Sequence, residues 1–448
     1  MAKDTYAQQL AARFAGLTLN QIEPSSRAAV KRLLMDYLGV ALAGSQSESG
    51  HIARRFAKEH GAKPQAKLIG DNARVDITMA AFANAISSHS IELDDIDVLA
   101  LFHFSPPVYS AALAAAEYAG ANGKQLLTAL AAGCEMMERA SKATNPSLRN
   151  RGFHTTPSCG VFGATVAAGK LLKLPKDKLV SALGMAGAQA SGLMEMYGPS
   201  MQKRFNPGPT ARNGVTAARM AQLGFTGADT IFEGERGFLK TFSDVTEPSA
   251  LGENLKGAYE LLIEFKPYSC ARPIHNAIDC ALDVRGKGVK ARDVTKIDFT
   301  RHPDWARYHQ NKAPRTYHEA QVSLPFSVAM ALIEGKALLE QYSDRNIRNT
   351  EVKRLMGITS ISEDASLPRG VSCKMTATLK DGRVLTSQVD YPKGSIQNPM
   401  TDAELRAKFD SLAGPVIGAK RAATLAEQVM DLEKLRDVGE LMKLTAAR

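Results

Sequence analysis

Residues 78–89 read Thr-Met-Ala-Ala-Phe-Ala-Asn-Ala-Ile-Ser-Ser-His, a run of small and apolar side chains. Such a run predicts a buried helix that packs closely against other helices. Its C-terminal end leads into Ser88-His-Ser-Ile-Glu-Leu-Asp-Asp95, where three carboxylates and one histidine fall within eight residues. We therefore expect the helix to deliver His89 and an acidic cluster to one place. The rest of the chain is interpreted as scaffold and partners for that cluster.

Further helices are predicted on both sides of this stretch. Alanine-rich patterns cover residues 107–119, 124–142 and 160–173, and apolar residues recur at helical spacing over 6–17. Another helix is expected after Pro24-Ser-Ser26, where a serine can cap it, and it should end near Gly44-Ser-Gln-Ser47. To about residue 265 the chain therefore reads as helical.

The pattern changes after Pro267. Residues 295–301 alternate like a strand, and residues 373–385 predict a hairpin whose tight turn is Asp381-Gly382. Helical patterns over 273–286 and 319–335 accompany these strands. Residues 266–394 therefore predict a smaller α+β domain.

The last segment of the chain returns to helix. Thr401 and Glu404 form a predicted capping box, and apolar residues recur at three- and four-residue spacing from Leu425 to Leu441. The predicted fold class is mainly α: a large helical domain made of residues 1–265 and 395–448, with the α+β domain of 266–394 inserted.

Composition excludes several classes of function. The 448 residues are 44% hydrophobic and 23% charged, as in ordinary folded proteins, and a length of roughly 150 residues per domain suggests two or three domains. The formal charge of +10 is scattered, with no nucleic-acid motif, so we expect no nucleic acid as partner.

The five cysteines are widely spaced and form no C-x-x-C pair, which is typical of reduced thiols. We see no secretory signal and no apolar run of the ~18 residues that a membrane span needs, and we expect a cytoplasmic protein without membrane contact.

Four other stretches carry groups suited to chemistry. His103 precedes two prolines, and His154 precedes a predicted helix whose first N–H groups can face an anion. Two basic stretches, around residues 202–208 and 266–275, offer cations to a polycarboxylate, and arginine matches a carboxylate bidentately. The cationic candidates and the histidine that follows them are Lys203, Arg204, Lys266, Arg272 and His275.

Other interpretations stay open at this point. Each histidine can be a hydrogen-bonded structural residue, and the acidic cluster can cap helices or pair with arginine. A metal site built from His89, Glu92, Asp94 and Asp95 is conceivable. Nucleotide-binding, serine-hydrolase and zinc-protease motifs are absent from the sequence, and isolated cysteines suit an iron–sulfur centre poorly.

Several motifs, in this order, resemble the MmgE/PrpD family, which includes 2-methylcitrate dehydratase, cis-aconitate decarboxylase and iminodisuccinate epimerase. The similarity runs over nearly the whole chain. The motifs are Leu33-Leu-Met-Asp-Tyr-Leu-Gly-Val-Ala-Leu-Ala-Gly44, His89-Ser-Ile-Glu-Leu-Asp-Asp95, Arg151-Gly-Phe-His154, Ala186-Gly-Ala-Gln-Ala-Ser-Gly-Leu193, Gly224-Phe-Thr-Gly227, Lys266-Pro-Tyr268 and Asn398-Pro-Met-Thr401.

The resemblance implies a helical domain from both chain ends with an α+β lid, a homodimer, and catalysis without metal or organic cofactor. By matching positions it implies active-site roles for Glu92, Asp95, His103, His154, Lys203 and Lys266. The sequence departs from relatives where the usual K-x-L-H reads Lys203-Arg-Phe-Asn206, and where Glu92 and Ile96 replace Asp and Thr.

We predict a metal-free acid/base lyase of small di- or tricarboxylates, first of all a hydro-lyase resembling 2-methylcitrate dehydratase. His103, His154, Lys266 and Asp95 are the predicted catalytic residues. The predicted substrate-binding residues are Glu92, Lys203, Arg204, Arg272 and His275. The alternatives are a dicarboxylate epimerase, a decarboxylase resembling cis-aconitate decarboxylase, and a carboxylate-binding protein without activity.

Overall fold

A computed structural model describes residues 4–60, 63–97, 102–196, 200–368 and 372–448. The fold is mainly α, with 58% of the chain in helices and 8% in strands, which confirms the predicted class. The longer α-helices are Tyr6–Gly16, Pro24–Ser45, Glu48–Glu59, Ile77–His89, Ser105–Ala119, Gly123–Lys142, Thr155–Leu171, Lys176–Gly187, Pro207–Gln222, His275–Gly286, Leu324–Glu334, Thr350–Gly357, Asp402–Ile417 and Ala419–Met430. The shorter ones are Ser147–Asn150, Gln202–Phe205, Phe238–Phe242, Ser249–Gly252, Pro303–Ala306, Tyr317–Gln321, Asp344–Arg348 and Val438–Lys443.

The helix Ile77–His89 is buried on all sides, as its small residues predict. Asp76 caps its first turn by accepting from the Thr78 N–H at 2.8 Å. It packs against the helix Pro207–Gln222, where a Cβ added to Gly208 would lie only 2.7 Å from Ile86 Cγ1. This close approach fixes where the helix ends and where the acidic segment begins.

The larger of the two sheets formed by the described residues has four strands in the order Thr359–Glu363, Val294–Arg301, Cys373–Leu379 and Val384–Val389. The first pair is parallel and the other two are antiparallel. The predicted strand and the predicted hairpin are both confirmed, and Gly382 has a φ of 83° in the hairpin turn. The other sheet pairs Ala66–Lys67 with Arg74–Val75.

Two extensive hydrophobic cores form. One contains buried residues from 7 to 265 and from 400 to 442, so both ends of the chain contribute to it. The other contains buried residues from 270 to 379 and lies between the helices and strands of that region. The domain boundaries at 265/266 and 394/395 stay a prediction, as does the function of the second region as a lid.

Local predictions differ from the structure in three places. The helix Pro24–Ser45 begins with proline and has no side-chain cap, because the Ser26 hydroxyl bonds the backbone of Tyr259 and Leu261 instead. The predicted helix 319–335 is two helices, since Ser323 caps a new one at Phe326 N. Residues 223–265 contain only short helices.

Other sequence-based predictions agree with the structure. Thr401 and Glu404 form the predicted capping box. All five cysteines are buried thiols. Among the described residues, no helix has both the length and the apolar character to cross a membrane.

Candidate active site

Glu92 lies in the turn that follows the helix Ile77–His89. Its backbone φ is 54°, in the left-handed region that residues other than glycine rarely adopt. Its side chain is fully buried. Strained backbone that its surroundings hold in place often occurs at functional sites, so the conformation of this turn already marks it as a candidate.

Three cationic side chains converge on the Glu92 carboxylate. Lys203 and Arg204, from the short helix Gln202–Phe205, both donate to Oε1. Lys266 Nζ lies 3.2 Å from Oε2. All three cations are buried. The structure thus brings together four predicted site residues from three segments of the chain, and we call them the carboxylate cluster.

The carboxylate cluster holds its charges. Burial would raise the pKa of Glu92, but Lys203, Arg204 and Lys266 outweigh burial and hold that pKa well below its ordinary value. Burial lowers the pKa of Lys203 to about 8, against the opposing effect of Glu92. At neutral pH Glu92 and most of Lys203 are therefore ionised.

Gln321 supports the carboxylate cluster, and sequence reasoning missed it. Its Oε1 accepts from Arg204 Nη2 at 3.0 Å, and its Nε2 donates to the carbonyls of Ile91 and Ser269, each at 2.9 Å. Gln321 ends the short helix Tyr317–Gln321, so the break in the predicted helix 319–335 is what presents it. Ser323, which can cap a helix, was the feature of the sequence that could have predicted this break.

A second cluster, the imidazole cluster, contains His89, His103, His154 and Asp94. Asp94 Oδ2 lies 2.7 Å from His89 Nδ1 and 3.2 Å from His103 Nδ1. The ring centroid of His89 is 5.0 Å from that of His103 and 6.4 Å from that of His154. Lys266 Nζ, 3.9 Å from Asp94 Oδ1, connects the two clusters.

The imidazoles are held neutral. Burial lowers the pKa of His103 to about 3, although Asp94 opposes the shift. Burial, and then the neighbouring His89, lower the pKa of His154 well below its ordinary value. Burial would raise the pKa of Asp94, but Lys266 and the hydrogen bond from His89 keep that pKa low. The site thus contains neutral imidazoles, which burial makes harder to protonate, beside a fixed carboxylate that would stabilise a protonated ring.

His154 precedes the helix Thr155–Leu171, as predicted, and it is almost fully buried. Its Nδ1 lies 3.0 Å from Asn206 Nδ2. Asn206 stands between the helices Gln202–Phe205 and Pro207–Gln222. The basic segment therefore supplies both the cations of one cluster and a partner for the other.

Asp95 contacts the start of a helix, whereas its neighbour Asp94 contacts histidines. Its carboxylate accepts from the backbone N–H groups of Phe104 at 2.7 Å and Ser105 at 3.0 Å, at the start of the helix Ser105–Ala119. Burial and then Asp94 raise its pKa to about 7. Its backbone carbonyl accepts from His103 Nδ1 at 2.5 Å. These contacts are those of a helix-capping and positioning residue, and its catalytic role stays a prediction.

Arg272 and His275 lie outside both clusters. Arg272 donates to Glu264 at 2.9 Å and to the Lys393 carbonyl at 3.0 Å. His275 contacts Arg272 and the Cys270 carbonyl. These contacts tie the segment after Lys266 to neighbouring backbone, and the proposed binding of substrate by Arg272 and His275 stays a prediction.

His89, Asp94 and His103 offer ligand atoms within 4.8 Å of one another, a spacing that suits a metal ion. Two imidazoles and a carboxylate bind zinc or iron elsewhere. Here His89 Nδ1 hydrogen bonds to Asp94, and His103 Nδ1 hydrogen bonds to the Asp95 carbonyl. The predicted absence of a metal cofactor stays a prediction, which a chelator can test.

A cavity of about 410 Å³ is lined by residues that contact His154. Its wall includes Gly192, Gln202 and Asn206, and the Gly192 carbonyl accepts from the His154 N–H at 3.0 Å. Two buried atoms of the imidazole cluster, His89 Nε2 and Asp94 Oδ1, have no hydrogen-bond partner within the described part of the chain. The site therefore has adjoining space and unused polar atoms.

The chain matches the models of the MmgE/PrpD N-terminal domain over residues 8–251 and the MmgE/PrpD C-terminal domain over residues 268–434. This chain belongs to the MmgE/PrpD family. The resemblance seen in the motifs is confirmed. The second match continues past residue 394, where the predicted α+β domain ends. The two family models therefore divide the sequence into an N-terminal and a C-terminal part and do not mark an inserted domain.

Similar proteins are named as lyases. A cis-aconitate decarboxylase-like protein of Aspergillus oryzae is 28% identical, with 92% of each chain covered. Cis-aconitate decarboxylases of Aspergillus terreus and Homo sapiens are each 27% identical to this chain. The alignments cover 92% of this chain in both cases, and 90% and 89% of the respective relatives. Membership of this MmgE/PrpD family and these relatives support a lyase-like function at the family level.

Proposed function

We propose that this protein is an acid/base lyase that acts on a small di- or tricarboxylate. The observation that carries the proposal is the charge balance of the carboxylate cluster, where three buried cations face Glu92. Asp94 compensates part of the excess from 3.9 Å. Buried cations are costly unless anions compensate them, and a substrate carboxylate supplies the remaining negative charge.

Arg204 is the side chain best placed to bind an incoming carboxylate. Its two terminal nitrogens donate to Glu92 and Gln321, while its buried Nε has no partner among the described residues. The guanidinium group is planar and offers several donors to one anion. A substrate carboxylate that accepts from Arg204 Nε could bind while Glu92 keeps its own contact with the Arg204 guanidinium group.

The cations also suit the chemistry of this substrate class. When a bond breaks on the carbon next to a carboxylate, negative charge builds on the carboxylate oxygens. Fixed positive charges in a site shielded from water stabilise that charge more than water does. Lys203, Arg204 and Lys266 supply such charges close to the imidazoles.

His103 and His154 are the proposed acid/base groups, with Lys266 as a second candidate for the base. His103 is neutral, and Asp94 beside it would stabilise the imidazolium that forms when the ring accepts a proton. A positioned base of this kind typically contributes ~10²–10⁴-fold to the rate.

Two lyase reactions are candidates. The first is dehydration, as in 2-methylcitrate dehydratase, where the base removes a proton and a hydroxyl group leaves as water. The second is decarboxylation, which the names of the similar proteins favour. Epimerisation of a dicarboxylate would use the same proton removal, with the proton returned to the opposite face and no group lost.

One experiment separates these reactions. The purified protein is incubated in deuterium oxide with 2-methylcitrate, citrate, cis-aconitate, tartrate-like acids and iminodisuccinate, and followed by proton NMR. A new vinylic signal with all carboxylates retained indicates dehydration, release of carbon dioxide indicates decarboxylation, and exchange without an alkene indicates epimerisation. Binding without turnover of any acid would favour a carboxylate-binding protein.

A second arm of the experiment tests the remaining assumptions. Turnover is measured after treatment with a chelator, and we expect no loss. Loss with chelator and recovery with an added metal ion would replace the metal-free proposal by one that uses His89, Asp94 and His103. No binding of any acid on the panel would refute the proposed substrate class.

A further inference from the structure

Asn206 contacts His154 in a way that defines which atom faces the ring. Asn206 Nδ2 lies 3.0 Å from His154 Nδ1 and 3.2 Å from Met196 Sδ. A thioether sulfur has lone pairs and no hydrogen, so it accepts only. The amide NH₂ group has two hydrogens and can satisfy both neighbours, whereas the amide oxygen could satisfy neither the sulfur nor an unprotonated nitrogen.

The tautomer of His154 follows from this contact. A neutral imidazole has one nitrogen that donates and one that accepts. Because Nδ1 accepts from Asn206, the proton of the neutral ring is on Nε2. His154 is 3% exposed, which disfavours a second proton on the ring.

His103 has the opposite tautomer. Its Nδ1 faces two acceptors, the Asp95 carbonyl at 2.5 Å and Asp94 Oδ2 at 3.2 Å. Neither of these oxygens can donate when Asp94 is ionised, so Nδ1 carries the proton. The Nε2 atom of His103 therefore carries a lone pair. His89 follows the same rule, since its Nδ1 lies 2.7 Å from Asp94 Oδ2.

We propose that Asn206 is a positioning residue that fixes His154 as a hydrogen-bond donor through Nε2–H, which leaves proton transfer to His103. This inference rests on the proposed function for its chemical meaning, although the tautomers do not depend on it. His154 holds an oxygen atom of the substrate and keeps its proton. His103 is the group whose protonation changes during turnover.

The proton and electron balance of dehydration fits this division. His103 Nε2 takes the proton from the carbon next to a carboxylate, and the C–H electron pair becomes the second bond of the alkene. The C–O bond breaks with its electron pair on oxygen. The His103 imidazolium returns the same proton to that oxygen, and water leaves. A neutral imidazole would lose its own proton far less readily, so a donor that keeps its proton is the better role for His154.

The test replaces the donor by an acceptor. In Asn206→Asp, the carboxylate accepts from the ring, so His154 should move its proton to Nδ1. Long-range proton–nitrogen correlation spectra of protein labelled with ¹⁵N-histidine report the tautomer of each ring, and His154→Gln assigns the signal. Asn213→Asp, the same exchange within the helix Pro207–Gln222 at a side chain that contacts Arg212, is the matched control.

We expect the Nε2–H form of His154 in the wild type and in Asn213→Asp, and the Nδ1–H form in Asn206→Asp. The same spectra show whether the other imidazole signals, and therefore the fold, are retained. Asn206→Ala is the second variant, and it should give a mixture of both forms. A wild-type ring protonated on Nδ1, or a tautomer that Asn206→Asp leaves unchanged, would overturn the inference.

The kinetic measurement is kept separate from the spectra. For an acid that the wild type turns over, Asn206→Asp should lower kcat at least about tenfold, which corresponds to about 1.4 kcal/mol, and Asn213→Asp should not. Equal kcat for Asn206→Asp and wild type would refute the role of Nε2–H. If no acid is turned over by the wild type, the proposed function fails while the spectra still decide the tautomer.

Discussion

Two buried glutamates of this protein show what separates a structural ion cluster from a candidate site. Glu135 lies in the helix Gly123–Lys142 and pairs with Arg13 at 3.1 Å and with Arg139 at 2.9 Å. Glu92 lies in a strained turn and pairs with the three cations of the carboxylate cluster. By burial and pairing alone the two glutamates look alike.

The cavities in the two regions differ in volume by more than an order of magnitude. The cavity at Glu135 has a volume of about 10 Å³, which is at most the space of one water molecule. A cavity with a volume of about 410 Å³ is lined by Phe205 and Asn206, the two residues that follow Arg204 in the chain. Arg139 also donates from Nη1 to the backbone carbonyls of Ala250 and Glu253.

Buried ion pairs therefore do not by themselves indicate function in this fold. Breaking such a pair is costly wherever it lies, since the remaining charge is left without compensation. What distinguishes the region of Glu92 is the group of neutral imidazoles beside it and the cavity at Asn206. Buried polar atoms without hydrogen-bond partners among the described residues occur in both regions, at Arg204 Nε and at Arg13 Nε. Variants at the two glutamates and at the imidazoles can break or sharpen this comparison.

The largest effect is expected from His103. We expect His103→Gln to lower kcat by about 10²–10⁴-fold with a smaller change in KM, because it removes the proton acceptor and keeps the carboxylate cluster. Steady-state kinetics on the turned-over acid measures this effect. Folded Glu135→Gln should keep the wild-type kcat. If His103→Gln kept its activity and Lys266→Met lost it, the base would be Lys266.

The next effect concerns stability and compares the two glutamates directly. We expect Glu92→Gln and Glu135→Gln each to lower the free energy of unfolding by about 3–5 kcal/mol, since each removes one partner of a buried ion cluster. Urea unfolding measures both losses.

Only the loss at Glu92 should be reversed by a carboxylate ligand. A bound ligand at 100 times its Kd stabilises by about 2.7 kcal/mol, and a tricarboxylate can occupy the cations that Glu92→Gln leaves uncompensated. Equal rescue of both variants, or of neither, would remove the distinction between the two regions.

Acid should destabilise the folded protein through its imidazoles. The pKa of His103 is about 3 when folded and near 6.5 when unfolded, and the pKa values of His89 and His154 are lowered as well. Between pH 6.5 and pH 3 the unfolded chain therefore binds protons that the folded chain does not. The free energy of unfolding should fall as pH falls through this window, by about 1.4 kcal/mol per pH unit for His103, and His89 and His154 act in the same direction.

Urea titrations at several pH values check this slope. His103→Gln removes one titrating group, so its stability should depend less steeply on pH than that of the wild type. The control variant His51→Gln removes an exposed imidazole instead of a buried one. Equal slopes for all three proteins would mean that His103 is not held neutral by the fold.

Much of the fold and part of the site were predictable from sequence, for reasons that are local. The small residues of 78–89, the hairpin at Asp381-Gly382 and the capping box at Thr401 each act within a few residues of chain. The proximity of Glu92 to the basic segments could be expected for two reasons. Their charges are opposite, and the motifs that contain them follow the same order as in the MmgE/PrpD family.

The remaining features depend on contacts between distant segments. Asp94 and Asp95 are adjacent and chemically equivalent in the sequence, and only the position of the helix Ser105–Ala119 makes one a partner of histidines and the other a helix cap. Arg272 was chosen by residue type, but the fold places Glu264 and the Lys393 carbonyl beside it. Gln321 was not predicted, because the apolar pattern of 319–335 indicated one continuous helix. The structure has a break after Gln321, and this break lets the side chain contact Arg204.

The smallest predicted effect tests whether the cations of the carboxylate cluster serve binding. Burial lowers the pKa of Lys203 to about 8, so its charge is lost as the pH rises above 8, whereas arginine stays charged. We expect KM of the wild type to rise by up to about tenfold between pH 8 and pH 9, and KM of Lys203→Arg to change less. Lys408→Arg is the matched control, because Lys408 also pairs with a buried carboxylate, Asp36, at 2.6 Å. If Lys203→Arg and Lys408→Arg followed the wild-type KM profile in parallel, the charge of Lys203 would serve stability, as the arginines at Glu135 do, and the substrate carboxylate would have to be held by Arg204 and Lys266.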